Sequence, residues 1–396
     1  MAEQGKLTEV GWAFLRLGFT CFGGPTAHLG YFQGEFVGRR EWLDEEAYAD
    51  LVALCQVLPG PTSSQVAFGL GLRRAGVAGA LLASVAFMLP SAAAMILFAY
   101  GVGTLGDPSG SGWLHGLRLA AVAVVALAVS GMASKLCPDW RRRIMAAAAA
   151  ATVLMVPGPA TQVGVILLWA FAGSLARFRA AKAEKRAPIK SPLGRRPAVL
   201  ALAAFVILLL VLPPLSVASG SKLLALFDSF YRSGALVFGG GHVVLPLLRS
   251  ELVPRGWISD SSFLAGYGAA QAVPGPLFTF AAYLGTMILT GPHAWCGGLL
   301  ALLGIFLPGW LLIGGAYPFW SLLRTKRGFQ GAVRGASIAV VGILFAALCT
   351  PLAAESIMRP MDAVAALVAI VLLAATKLPQ WALVLLMAAA GQWILR

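Results

Sequence analysis

Long apolar runs, separated by short polar connections, follow one another along the whole chain. A helix needs roughly 20 apolar residues to span a bilayer, and in lipid only helices or closed barrels satisfy every backbone polar group. About thirteen such runs occur, near 12 to 36, 48 to 71, 76 to 101, 116 to 135, 143 to 157, 161 to 177, 198 to 216, 226 to 250, 262 to 290, 294 to 320, 333 to 350, 363 to 376 and 379 to 395. The pattern predicts an all-α, polytopic integral membrane protein with about 13 transmembrane segments.

Composition agrees with that reading. Of 396 residues, 59% are hydrophobic and 12% charged, far from the balance of a soluble globular domain. The formal charge of +14 sits in the connections, so the basic residues read as topology signals and no nucleic-acid partner is expected. The strongest basic block runs from Arg177 to Arg196, with Arg179, Lys182, Lys185, Arg186, Lys190 and Arg195, and is expected on the cytoplasmic side. Counting spans backwards puts Arg141, Arg142, Arg143 and Lys135 inside, then Arg73 and Arg74, then the N-terminus; counting forwards puts Arg324, Lys326 and Arg327 inside. Arg39 and Arg40 are the exception, falling outside beside Glu41, Asp44, Glu45 and Glu46. The segment from Met1 to Leu17 carries charge and no small-residue cleavage site, so the first run reads as retained. The five cysteines form no CxxC pair and share no ligand spacing with the histidines, so no disulfide, metal or cofactor is expected.

The chain repeats itself. Phe14, Arg16, Gly18, Phe22, Gly23 and Gly24 recur in register as Phe230, Arg232, Gly234, Phe238, Gly239 and Gly240. Gln56, Pro59, Gly60 and Pro61 recur as Gln271, Pro274, Gly275 and Pro276, and Leu89-Pro90 as Leu307-Pro308. Arg118 before Ala123 to Val125 recurs as Arg334 before Ala339 to Val341. The division expected is a first repeat over 1–177, a basic linker over 178–197, an unmatched inverting span over 198–216 and a second repeat over 217–396. Six spans before the linker and one unmatched span after it make the second copy enter from the opposite side, the inverted architecture of many secondary transporters.

Four motifs near mid-span carry the candidate chemistry: Phe22-Gly23-Gly24-Pro25, Leu58-Pro59-Gly60-Pro61, Phe238-Gly239-Gly240-Gly241 and Val273-Pro274-Gly275-Pro276. Proline removes a donor and glycine permits unwound backbone, so helices are expected to break there. Four half-helix N-termini, with free N–H groups and partial positive charge, suit a tetrahedral anion. Thr26, Thr62, Ser63, Ser64, His242 and Thr279 supply further donors, and Gln56 and Gln271 lie one turn before their Pro-Gly-Pro.

Arg16 and Arg232 are matched cations roughly two turns before a break, one at the mouth of each vestibule. Glu35 and Glu251 are also matched, and inversion suggests alternating gate pairs of Arg232 with Glu35 and Arg16 with Glu251. Asp228 is a candidate proton carrier whose counterpart is Trp12; His28, His115 and His293 read as packing or interface residues.

Through Phe22-Gly23-Gly24-Pro25, the segment Gln56 to Pro61 and their second-half echoes, the chain resembles the long-chain, two-domain members of the chromate ion transporter family. That resemblance implies chromate efflux from the bacterial cytoplasm and chromate resistance, with an inner-membrane location. Gly241 in place of a second Pro25, and Leu277-Phe278 in place of Thr62-Ser63, depart from strict duplication. Sulfate shares the charge and shape of chromate and remains an alternative substrate. Without a Walker-type loop a secondary carrier is expected, with a proton as the candidate coupling ion and a monomer or homodimer as the functional unit. An anion channel is the alternative within transport. An intramembrane lipid-modifying enzyme would need clustered acids or a histidine-acid constellation, which the sequence does not display, and a membrane scaffold would leave the matched breaks unexplained.

Overall fold

The computed structural model describes residues 2–104, 112–175, 193–238, 241–323, 326–376 and 378–394. Most of the basic linker, the Gly106 to Gly112 connection up to Ser111, Arg324, and the motif residues Gly239 and Gly240 lie outside them. Among the described residues the chain is helical, with no strand.

Helix α1 (Ala2–Thr20) ends at a break over Cys21 to Gly23; α2 (Gly24–Gln33) follows and closes in a π-helical turn (Gly34–Arg39). The run is no single kinked span. Arg40 and Trp42, just past the turn, donate to Glu9 at 3.1 and 3.0 Å, so the chain returns to the face it left. Helix α3 (Glu45–Val57), capped by Asp44, goes in again, and α4 (Thr62–Thr104) begins after the Leu58 to Pro61 break. Arg74 donates to the same Glu9 at 2.7 and 3.1 Å, so this second pair of arms also folds back. At Ala75 and Gly76 (φ 63) the backbone leaves helical geometry, and only the following arm of α4, 77–104, crosses to the second face.

Two hairpins thus replace two crossings, which corrects the reading of runs 12 to 36 and 48 to 71 as spans. The charge exception goes with them: Arg39 and Arg40 share the face of Arg74. Two crossings fewer leave the parity of every later segment unchanged.

Helices α5 (Gly112–Leu136), α6 (Trp140–Met155), α7 (Pro159–Leu175) and α8 (Arg195–Ser219) come next. From the second face, α9 (Lys222–Leu236) goes in and α10 (Val244–Leu252) returns; α11 (Asp260–Ala270) goes in and α12 (Phe280–Ile288) returns. Their outer ends meet: Arg249 forks onto Asp260 at 2.5 and 2.8 Å, and the Lys222 ammonium donates to the Ile288 carbonyl at 3.0 Å. Runs 226 to 250 and 262 to 290 are hairpins too. The inbound arms α3, α9 and α11 each open on a side-chain cap, from Asp44, Ser221 and Ser259, which satisfies one otherwise free N–H.

Helix α13 (Ala294–Ala316) then crosses, followed by short α14 (Trp320–Leu323), α15 (Arg327–Ala347), short α16 (Ala354–Ser356), α17 (Pro360–Ala375) and α18 (Gln380–Trp393). The second arm of α4 and its sequence counterpart α13 run in opposite directions. Arg73 donates to the Tyr317 hydroxyl at 3.2 Å at one face, and the Tyr100 hydroxyl donates to the Pro292 carbonyl at 3.2 Å at the other. A Cβ on Gly18 would lie 2.7 Å from the Phe87 carbonyl, and one on the matched Gly234 would lie 2.3 Å from the Ile305 carbonyl. The same close helix contact is built twice.

The later helices exchange partners. Helix α5 packs on α17 and α18, while its counterpart α15 packs on α6 and α7. Small residues permit the approach: Gly112 and Gly116 against Gly391 and Met387, Gly331 and Gly335 against Gly173 and Trp169. Among the described residues, five helical stretches are long and apolar enough to cross a membrane: Thr62–Gly103, Gly112–Leu136, Arg195–Ser219, Ala294–Leu323 and Arg327–Ser356.

Candidate functional site at the four helix breaks

The hairpins enter from opposite faces and their tips meet. The Gly60 N–H donates to the Val237 carbonyl at 2.7 Å, and the Gly275 N–H donates to the Cys21 carbonyl at 2.8 Å. Gly60 is matched with Gly275 and Cys21 with Val237, so one bond is the duplicate of the other. The 3-10 turns Gly241–Val243 and Leu277–Thr279 pack together, which joins the third break to the fourth. All four motifs singled out in the sequence are therefore contiguous.

The first, second and fourth breaks are held open by local geometry. Gly23, Gly24, Gly60 and Gly275 have φ of 98, 75, 120 and 99°, a region that side chains disfavour. A Cβ on Gly60 would also lie 3.3 Å from the Gly309 backbone, and one on Gly275 2.9 Å from the Ser91 hydroxyl. Ser91 and Gly309 each directly follow the matched Leu89-Pro90 and Leu307-Pro308. They belong to the site, although in the sequence those pairs served only to mark the register. Gln65 also escaped the sequence reading: its amide donates to the Pro59 carbonyl at 2.8 Å and ties the second break. A glutamine one turn into a half-helix was the available signal.

Helices α2, α4, α10 and α12 start at the breaks, the last two through their 3-10 turns, so their N-termini face the centre. Pro25 lies in the first turn of α2; its side chain and that of Thr26 are outside the described ones. Thr62 opens α4, and Ser63 and Ser64 are buried beside it, the Ser64 hydroxyl without a partner among the described residues. Gln271 is buried with its side chain beside the Tyr267 hydroxyl, whereas its counterpart Gln56 is exposed. His242 shares a 2.7 Å bond with the Tyr267 hydroxyl, and the Thr279 hydroxyl donates to the Pro276 carbonyl. Pro61, Pro274 and Pro276 flank these donors in their breaks. Behind the second and third breaks lies an almost wholly apolar cavity of about 450 Å³ lined by Leu58, Pro59 and Phe238.

The charged candidates pair differently from the expected gate. Arg232 forks onto Glu251 of its own repeat at 2.6 and 2.9 Å and also binds Asp228. Glu35 binds Arg39 and Arg40. No Arg232–Glu35 pair forms: Glu35 stands with Arg39 and Arg40, and Arg232 with Glu251 and Asp228. Arg16 forms no salt bridge among the described residues; it is exposed in a cleft of about 720 Å³ between α1 and α2, with Thr20, Ala27, Tyr31 and Glu35. His28 is buried against Phe87, His293 precedes α13, and His115 pairs with Asp362 at 2.8 Å in place of simple packing. Outside the crossing segments, burial pushes the Glu9 carboxyl up, but hydrogen bonds from Arg74, Trp42 and Arg40 outweigh it and hold the group below its ordinary value. Glu35 is likewise lowered, burial being outweighed by Arg40 and Arg39.

The profile of the chromate transporter family matches this chain twice, over residues 8–177 and 224–392. A chromate transport protein of Pseudomonas aeruginosa is 26% identical over 339 residues, covering 84% of this chain and 77% of its own length. The chromate transport protein of Cupriavidus metallidurans is 29% identical over 374 residues, 91% and 86% of the two chains. A probable chromate transport protein of Synechococcus elongatus is 27% identical over 353 residues, 87% and 84%. No solved structure matches the chain. With both halves matched and the breaks assembled at one centre, the chain belongs to the chromate transporter family, whose members are membrane transporters rather than enzymes.

Proposed function

We propose that this protein is a secondary carrier of a tetrahedral oxyanion, chromate above all, exporting it from the bacterial cytoplasm across the inner membrane by alternating access between two inverted repeats. The observation that carries the reading is the meeting of four half-helix N-termini at duplicated backbone bonds, Gly60 to Val237 and Gly275 to Cys21. Free N–H groups and aligned peptide dipoles stabilise an anion there without a full cation. Ser64 brings a buried hydroxyl that has no partner among the described residues. The names of the relatives select chromate; the donors themselves accept sulfate equally, since the two dianions share shape and charge.

The first face is the cytoplasmic one in this reading. Arg39, Arg40, Arg73 and Arg74 lie on it, and parity adds Lys135, Arg141 to Arg143, Arg195 and Arg196, as the positive-inside rule requires. The anion then enters through the Arg16 cleft. Uptake of labelled chromate into inside-out vesicles, with excess sulfate as competitor, tests the proposal. Saturable, protein-dependent uptake with counterflow is expected. Linear uptake without counterflow would mean a channel, and no uptake under any imposed gradient would remove chromate as the substrate.

A further inference from the structure

The two outer hairpins are built from matched residues yet differ in state. In the second repeat Glu251 holds two arginines, Arg255 four residues on and Arg232 across the hairpin. In the first, Glu35 holds Arg39, the match of Arg255, in the same way, but its second arginine is Arg40. Arg16, the match of Arg232, stays unpaired among the described residues and lines the cleft. Arg40 is itself fixed by Glu9 at 3.1 Å, and the position matching Arg40 in the second repeat is Gly256, which offers no competing cation.

In proteins made of inverted repeats the other access state exchanges the conformations of the two halves.

We infer that Glu35 is a two-position gate residue: Arg40 holds it here with the first-face cleft open, and Arg16 takes it when that cleft closes, as Arg232 leaves Glu251. This rests on the carrier reading and adds to it the residue that decides which face is open. Free Arg16 serves an incoming anion in one state and neutralises Glu35 in the other, so the anion and Glu35 compete for one guanidinium.

The test needs no substrate. In a background with the exposed Cys296 and Cys349 replaced by serine, Thr20→Cys reports the cleft through its rate of maleimide labelling. Arg40→Gln is expected to slow labelling about tenfold, within the usual range for coupled elements, and adding Glu35→Gln to restore it. Unchanged labelling in Arg40→Gln, or slow labelling that persists in the double variant, overturns the inference. If labelling behaves as expected while chromate is not taken up, the gate stands and the substrate reading fails.

Discussion

Hairpin α1/α2 and hairpin α9/α10 share glycines, an arginine and a glutamate in register, yet one holds an open cleft of about 720 Å³ and the other a closed ion cluster. The difference lies in their neighbours. Asp228 stands where the first repeat has Trp12, and Gly256 stands where it has Arg40. Both substitutions push the second arginine towards its own hairpin and leave the first one free. Duplicated backbone thus sets where a charge is, and unduplicated side chains set what it binds.

The comparison breaks most severely at the centre. Gly60→Val and Gly275→Val place a β-branched side chain at positive φ and against backbone or Ser91, with strain of about 1–3 kcal/mol from the backbone alone. Both are expected to abolish transport in the vesicle assay, and equal losses would show that the halves contribute equally. Next come the arginines. Arg232→Ala leaves Asp228 and Glu251 buried without their shared cation, so folded protein recovered from membranes should fall. Arg16→Ala should leave yield unchanged and lower kcat/KM for chromate. Among the acids, Glu251→Ala is expected to cost about 3 kcal/mol, the low end for a broken buried pair because Asp228 remains. Glu35→Ala should cost about 1 kcal/mol, since Arg39 is half exposed; thermal unfolding in detergent would compare the two. The smallest effect is that of pH. Folded-state values for Glu9 and Glu35 lie below the ordinary 4.5, so their stabilisation is complete above that value and is lost as pH falls through the lowered ones. Glu9→Gln should flatten the melting temperature between about pH 5 and 3.

Helicity, the duplication and all four breaks were legible because each rests on local chemistry: apolar length, glycine and proline. The direction of the chain after a break was not. A kinked span and a hairpin have the same hydropathy, and a Pro-Gly pair permits both. Arg39 and Arg40 held the missing signal, since two arginines on the wrong side indicate a segment that never crossed. The partner of Arg232 was half legible: Asp228 precedes it by one helical turn, a spacing that favours pairing. Glu251 became its partner only through the fold-back, which is why the expected pairing across repeats failed. Ser91 and Gln65 were hidden because neither interrupts a helix.

The exchange of late helices bears on how the molecule is made. Helix α5 leaves the ribosome early, but the glycines along its face wait for α18, far later in the chain. Until then Gly112 and Gly116 face lipid or whatever insertion factor holds them. A stop codon just before α18 would therefore injure the first half of the protein as much as the second, and a pair of separately translated halves would have to find each other before either finished folding.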